Sequence, residues 1–128
     1  MKTEFFVGYW SRKHVEADSS HYYLFGDNEE GWGMGGQAII RGLPNAFGVP
    51  TKRSPHMDDD SFWSDDEYEA NVAKIDAALA LVPTDKPIFV SEHGIGTGLA
   101  QLDVRAPRTF AYLCDRLFKP LDKAPQVV

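Results

Sequence analysis

The chain has 128 residues, of which 43% are hydrophobic and 25% are charged, and its formal net charge is −6. This composition is typical of one globular domain, and it excludes a disordered chain, a collagen-like repeat and, with Cys114 as the single cysteine, a disulfide framework. The acidic excess argues against a protein that coats nucleic-acid backbone. We expect a cytoplasmic protein without membrane contact, because no apolar run could span a bilayer and the N-terminus lacks a signal-peptide pattern.

Four short strands are predicted, each from a run of apolar, aromatic or β-branched residues. In chain order they cover residues 4–10, 21–25, 46–49 and 86–90. A polar interval, residues 11–20, follows the first strand, and a short helix is expected to open at Gln37. Longer helices are predicted between Ser64 and Pro83, with Ser64 and Glu67 as a capping box, and over residues 104–118. Strands that alternate with helices imply a layered α/β fold with a largely parallel sheet.

Two glycine-rich loops follow predicted strands, at the edge where parallel sheets bind ligands. Glycine allows positive φ and lets backbone N–H groups approach a phosphate closely. We therefore expect the loops to hold an elongated, phosphate-bearing ligand between them, although each loop alone is equally explained by a tight turn that needs glycine. The residues predicted to bind this ligand are Asn28, Gly31, Trp32, Gly33, Gly35, Gly36, Gln37, Thr51, Gly94, Ile95, Gly96, Thr97, Gly98 and Leu99.

Three segments in this order resemble the macrodomain superfamily, the ADP-ribose-binding α/β fold. Residues 25–38 begin Phe-Gly-Asp-Asn and end Gly-Gly-Gln-Ala, residues 48–53 read Gly-Val-Pro-Thr-Lys-Arg, and residues 94–103 read Gly-Ile-Gly-Thr-Gly-Leu-Ala-Gln-Leu-Asp. The second is similar to the Pro-Thr-Lys segment of DarG-type antitoxin macrodomains, and the third to their phosphate loop. A nearer likeness is to uncharacterised bacterial and phage macro-like proteins. The resemblance implies a three-layer macrodomain-like fold with a mixed, largely parallel sheet flanked by helices. From the length of the chain we expect one domain over residues 1–118, and the two prolines within residues 119–128 predict a frayed tail there.

The resemblance also implies binding of ADP-ribose or a related NAD-derived nucleotide, with an ADP-ribosylated macromolecule as a further partner and no cofactor or metal. The DarG-type lysine lies in the catalytic site, so Lys52 is expected to act at the anomeric linkage, with phosphate pairing as the alternative. Asp27 would orient a ribose or polarise water, unless it holds an Asx turn. His93 would act as an acid–base group, unless it is a structural histidine. Related enzymes use an aspartate where Ala100 stands, so a non-catalytic nucleotide reader or signal sponge is the alternative function.

Three of the predicted ligand-binding residues have specific expected roles. Asn28 would bond a ribose hydroxyl or cap its own turn, a frequent role of asparagine. Gln37 would donate to the ligand from the first helical turn. Trp32 would stack on an adenine or cover the pocket, because a tryptophan in a glycine-rich loop is not expected to belong to the hydrophobic core. The acidic runs 58–60 and 65–67 are interpreted as a solvated face and a helix start rather than a metal site.

Overall fold

The computed structural model describes residues 1–122, and the side chains of residues 1–118. Four strands form one sheet in the order β1–β4–β2–β3, and each neighbouring pair is parallel. The strands are β1 (Thr3–Phe6), β2 (Tyr22–Asp27), β3 (Ala46–Pro50) and β4 (Ile88–Ser91). The α/β class is therefore confirmed. The sheet expected to be mixed is parallel in the part of the chain that the structure describes, and an isolated antiparallel bridge joins Lys52 to Phe62 outside its strands.

The helices are α1 (Arg12–Ala17), α2 (Tyr68–Leu79), α3 (Leu102–Arg105) and α4 (Pro107–Asp122). α1 lies in the polar interval 11–20, for which no helix was predicted. The Ser11 hydroxyl caps it by accepting from the His14 N–H, and Val15 anchors it in the core. The last predicted helix is divided into α3 and α4, and α4 continues beyond the predicted boundary at residue 118. The rest of the predicted frayed tail, residues 123–128, lies outside the described residues.

The start of α2 differs from the prediction, because a 3₁₀ turn (Asp65–Glu67) precedes it. The predicted capping box is wrong: the Ser64 side chain makes no cap hydrogen bond, and the Glu67 carboxylate pairs with Arg53 at 2.6 Å. The Asp65 carboxylate instead caps α4, where it accepts from the backbone N–H groups of Arg108 and Thr109 at 2.8 and 2.9 Å. A cap supplied by a residue 43 positions away leaves no local pattern in the sequence.

Two hydrophobic clusters lie on opposite faces of the sheet, because successive side chains of a strand alternate in direction. In β2, Leu24 belongs to the larger cluster, whereas Tyr23 and Phe25 belong to the smaller one. The larger cluster packs the sheet against α2, α3 and α4, with Trp63 fully buried in it. The smaller one includes residues of α1 and of the 3₁₀ helix Gly36–Ile40. No helix within residues 1–122 combines the length and apolar character that a bilayer-crossing segment needs.

Candidate functional site

A cavity of about 780 Å³ lies at the carboxyl ends of all four strands. β1 leads into residues 8–10 and β3 leads into Thr51 and Lys52. β2 leads into glycine loop 1 (residues 28–36), and β4 leads into glycine loop 2 (residues 93–100). All four connections contribute lining residues. The carboxyl-end edge of an open parallel sheet is where ligands bind in such folds.

The cavity brings together most of the residues predicted from the sequence. Gly31 and Ile95 do not line it, and Ile95 is instead buried in the larger hydrophobic cluster. The structure adds Arg41 and Tyr9, which sequence reasoning missed. The predicted residues that do line it are Asp27, Asn28, Trp32, Gly33, Gly35, Gly36, Gln37, Thr51, Lys52, His93, Gly94, Gly96, Thr97, Gly98 and Leu99.

Both glycine loops present backbone N–H groups without a protein acceptor. Among the described residues, the N–H groups of residues 32–36 and 95–100 donate no hydrogen bond. Gly94 and Gly96 have φ of +86°, and non-glycine Ile95 between them has negative φ. Such alternation turns successive N–H groups toward one concave side, which is the geometry of an anion-binding nest. Most of these loop residues are exposed, so a ligand can reach their N–H groups. The loops are therefore suited to a ligand that carries several anionic oxygens.

Asn28 organises glycine loop 1. Its side-chain oxygen accepts from the N–H groups of Glu30 and Gly31 at 3.0 and 2.9 Å. Its amide nitrogen donates to the Trp32 carbonyl at 2.9 Å. These bonds match the turn-capping alternative, and they leave one amide hydrogen of Asn28 for other partners.

Arg41 connects glycine loop 1 to the end of β2. Its guanidinium makes a bidentate pair with Asp27, with N···O distances of 2.6 and 3.1 Å. The Arg41 Nε donates to the Gly33 carbonyl at 2.8 Å. The Asp27 carboxylate also accepts from the Asn28 N–H at 2.7 Å. Both carboxylate oxygens of Asp27, which was predicted to be catalytic, thus accept hydrogen bonds within the protein. The Gly33 carbonyl of glycine loop 1 is held by Arg41.

Gln37 joins the two loops. Its side-chain oxygen accepts from the Gly26 N–H at 3.0 Å, and its amide nitrogen donates to the Gly94 carbonyl at 2.6 Å. One amide hydrogen remains for the ligand contact predicted from the sequence. Gln37 therefore sets the separation of the ends of β2 and β4, where the two loops begin.

Lys52 lines the cavity, but its ammonium group contacts His56, Met57 and Phe62, which lie outside the lining. The residue is 5% exposed, its Nζ donates to the His56 carbonyl at 2.7 Å, and it lies 4.3 Å from the centroid of the Phe62 ring. Among the side chains of residues 1–118, no carboxylate lies within 4 Å of this nitrogen. Burial lowers the pKa of Lys52, nearby Arg105 lowers it further, and Asp58 opposes the change.

Aromatic side chains lie at the mouth of the cavity. The rings of Tyr9 and His93 stack with centroids 4.5 Å apart, and Tyr9 is 87% exposed. Half-exposed Trp32 donates from Nε1 to Glu30, and the edge of its ring meets His56. Apolar and aromatic surface beside polar groups is typical of pockets for organic ligands. Within the described residues, no group of three or more His, Cys, Asp or Glu side chains could hold a metal ion.

A family model described as "Family of unknown function (DUF7831)" matches residues 5–116 of the chain. The matched range contains every residue that lines the cavity. No curated protein and no solved structure matches the chain.

Proposed function

We propose that this chain, which belongs to the family of unknown function DUF7831, binds ADP-ribose or a related NAD-derived nucleotide in the cavity at the strand ends. One observation carries the proposal: both glycine loops, whose backbone N–H groups at residues 32–36 and 95–100 have no acceptor among the described residues, line the same cavity. A diphosphate suits such donors because it offers a row of anionic oxygens. The macrodomain-like motifs support ADP-ribose as the nucleotide.

The size and charge of the cavity support the same ligand class. Its volume of about 780 Å³ lies within the range of pockets for cofactor-sized molecules. The protein as a whole is acidic, yet among the cavity-lining residues Asp27 is neutralised by Arg41, and Lys52 adds a cation with no described carboxylate within 4 Å. Local positive charge within an acidic protein favours a small anion over a polyanionic backbone.

Calorimetric titration with ADP-ribose tests the proposal, with Gly96→Glu as the blocked variant. A Cβ at Gly96 would lie 3.1 Å from the Leu102 side chain, and the added carboxylate would repel a phosphate. Gly42→Glu is the matched control, because Gly42 also has positive φ (+91°) but lies outside the cavity lining. We expect saturable binding by the wild type and the control, and none by Gly96→Glu. A wild type that does not bind millimolar ADP-ribose refutes the proposal.

A second candidate function, removal of ADP-ribose from a macromolecule, is favoured by the environment of Lys52. Burial lowers the pKa of this amine, which increases the fraction that is a free nucleophile at a given pH. Net hydrolysis adds water across the bond between the ribose and its acceptor, and it yields ADP-ribose and the unmodified acceptor.

Release of ADP-ribose from a mono-ADP-ribosylated protein or DNA tests this second candidate. We expect Lys52→Ala to abolish release, whereas Arg53→Ala, which removes a half-exposed cation outside the cavity lining, should not. Full turnover by Lys52→Ala contradicts a catalytic lysine. Tight binding without release by the wild type favours the non-catalytic reader.

A further inference from the structure

We infer that the cavity holds a dinucleotide, with one base stacked on Tyr9, the other base on Trp32, and the diphosphate between them on the two glycine loops. This inference rests on the proposed nucleotide binding, and it adds a second planar group that ADP-ribose does not have. It follows from where the exposed aromatic side chains of the cavity lie relative to the backbone N–H groups of the loops.

Two exposed aromatic side chains line the cavity. Tyr9 is 87% exposed and Trp32 is 50% exposed. Among the lining residues that the structure describes, the remaining tryptophan, Trp10, is buried and donates from Nε1 to the Gln37 carbonyl, so it belongs to the cavity wall. A single exposed aromatic residue is ordinary on a protein surface. Two in one cavity provide two separate surfaces on which planar groups can stack.

Both rings are oriented by neighbouring residues and remain accessible to a ligand. Tyr9 stacks one face on His93, with centroids 4.5 Å apart, and its exposure leaves the other face open. Trp32 makes a T-shaped contact with His56 at a centroid distance of 5.7 Å, and no ring among the described side chains stacks parallel to it. The Trp32 Nε1 donates to Glu30 at 2.7 Å, which orients the indole. Each ring can therefore stack on a planar group of a ligand.

The two rings lie toward opposite ends of the sheet edge. In the strand order β1–β4–β2–β3, Tyr9 follows β1, whereas the ring of Trp32 contacts His56 in the segment that follows β3. Glycine loops 2 and 1 begin at the ends of β4 and β2, between these two positions. Two to three inter-strand spacings amount to about 10–14 Å, a distance that the two bases of an extended dinucleotide can bridge. The edge therefore presents an aromatic surface, anion-binding N–H groups and a second aromatic surface.

This order of groups matches a dinucleoside diphosphate, in which a diphosphate joins two nucleosides and a base lies at each end. ADP-ribose can use only one of the two aromatic surfaces. A single-stranded nucleic acid also offers bases for stacking, but it has one phosphate between successive nucleosides, and the net charge of −6 disfavours binding of its backbone. Diadenosine diphosphate is a suitable probe because its two ends are identical. Adenylyl-adenosine, which joins the same nucleosides through a single phosphate, is the matched probe for a nucleic acid.

Calorimetric affinities for diadenosine diphosphate, ADP-ribose and adenylyl-adenosine test the inference. We expect the wild type to bind diadenosine diphosphate about tenfold more tightly than either of the other two ligands. Tyr9→Ala and Trp32→Ala should each weaken diadenosine diphosphate about tenfold, and Trp32→Phe, which keeps a ring, should weaken it less than Trp32→Ala. ADP-ribose has one base, so no more than one of the two alanine variants should weaken it as much. Val7→Ala, which truncates an exposed apolar side chain outside the cavity lining, should bind all three ligands like the wild type.

The outcomes separate this inference from the proposed function. A wild type that binds ADP-ribose at least as tightly as diadenosine diphosphate overturns the inference and leaves the proposed function standing. Equal losses of both ligands in both alanine variants also overturn it, because the two rings then hold the same base. Tighter binding of adenylyl-adenosine than of diadenosine diphosphate overturns it in favour of a single-stranded nucleic acid. A wild type that binds none of the three ligands overturns both the inference and the proposed function.

Discussion

Replacing Gly48 with alanine should destabilise the protein, because the Asp27 carboxylate occupies the space beside this glycine. A Cβ at Gly48 would overlap Asp27 Oδ2 and lie 3.0 Å from Asp27 Cγ. A shift of β3 away from Asp27 would disrupt its pairing with β2, because Gly48 is paired with Phe25 in the β2–β3 register. The carboxylate must therefore turn, against the two hydrogen bonds from Arg41 and the one from the Asn28 N–H.

The magnitude follows from these opposing contributions. Overpacking of a tight site costs about 1–3 kcal/mol, and loss of one hydrogen bond of the Arg41–Asp27 pair adds about 1 kcal/mol. Alanine recovers about 0.5 kcal/mol by restricting the unfolded chain. We expect the free energy of unfolding to fall by about 2 kcal/mol, which moves the urea midpoint by about 1 M for an m-value of about 2 kcal/mol/M.

Urea unfolding followed by tryptophan fluorescence measures this effect. The matched control is Gly35→Ala, because Gly35 has φ of −82° and no atom lies within 4 Å of a Cβ built there. Its free energy of unfolding should stay within about 0.5 kcal/mol of the wild type. A Gly48→Ala midpoint equal to that of the wild type would refute the view that Arg41 holds the Asp27 carboxylate against β3.

Three further predictions concern helix capping, loop geometry and base stacking. Burial raises the pKa of Asp65, but hydrogen bonds from α4 more than offset it and hold the pKa below 3.8. Above pH 3.8, Asp65→Ala should therefore lower the free energy of unfolding by about 1 kcal/mol. This difference from the wild type should vanish as the pH falls through the folded-state pKa of Asp65, and urea unfolding above and below that pKa measures it. Arg41→Lys cannot reproduce the bidentate pair, so calorimetry should find ADP-ribose affinity about fivefold lower, and unchanged affinity contradicts the role of Arg41. Tyr9→Ala should weaken ADP-ribose binding about tenfold and leave ribose 5-phosphate binding unchanged, whereas equal losses would contradict stacking on Tyr9.

Local patterns in the sequence determined the strands and the positions of both glycine loops. The ends of β2 and β3 were predicted to within two residues, because a glycine or proline after an apolar run marks the end of a strand in the sequence. β1 was predicted to be too long, because Gly8 has φ of +85° and turns the chain before Tyr9. α1 was missed, since it has one buried residue and its polar composition resembles a loop.

The tertiary structure alone decided which of the candidate side chains form hydrogen bonds within the protein and which residues lie beside them. Asp27 and Gln37 are bound by Arg41 and Gly94, which are 14 and 57 residues away in the chain. The pairing of β1 with β4 brings Tyr9 against His93 and forms an aromatic surface that the local sequence of neither segment predicts. Strand and loop formation depends on neighbouring residues, so a short window of sequence reveals it. Contacts between distant segments are selected by competition among all the pairings that the folded chain allows, and only the completed packing of the sheet decides them.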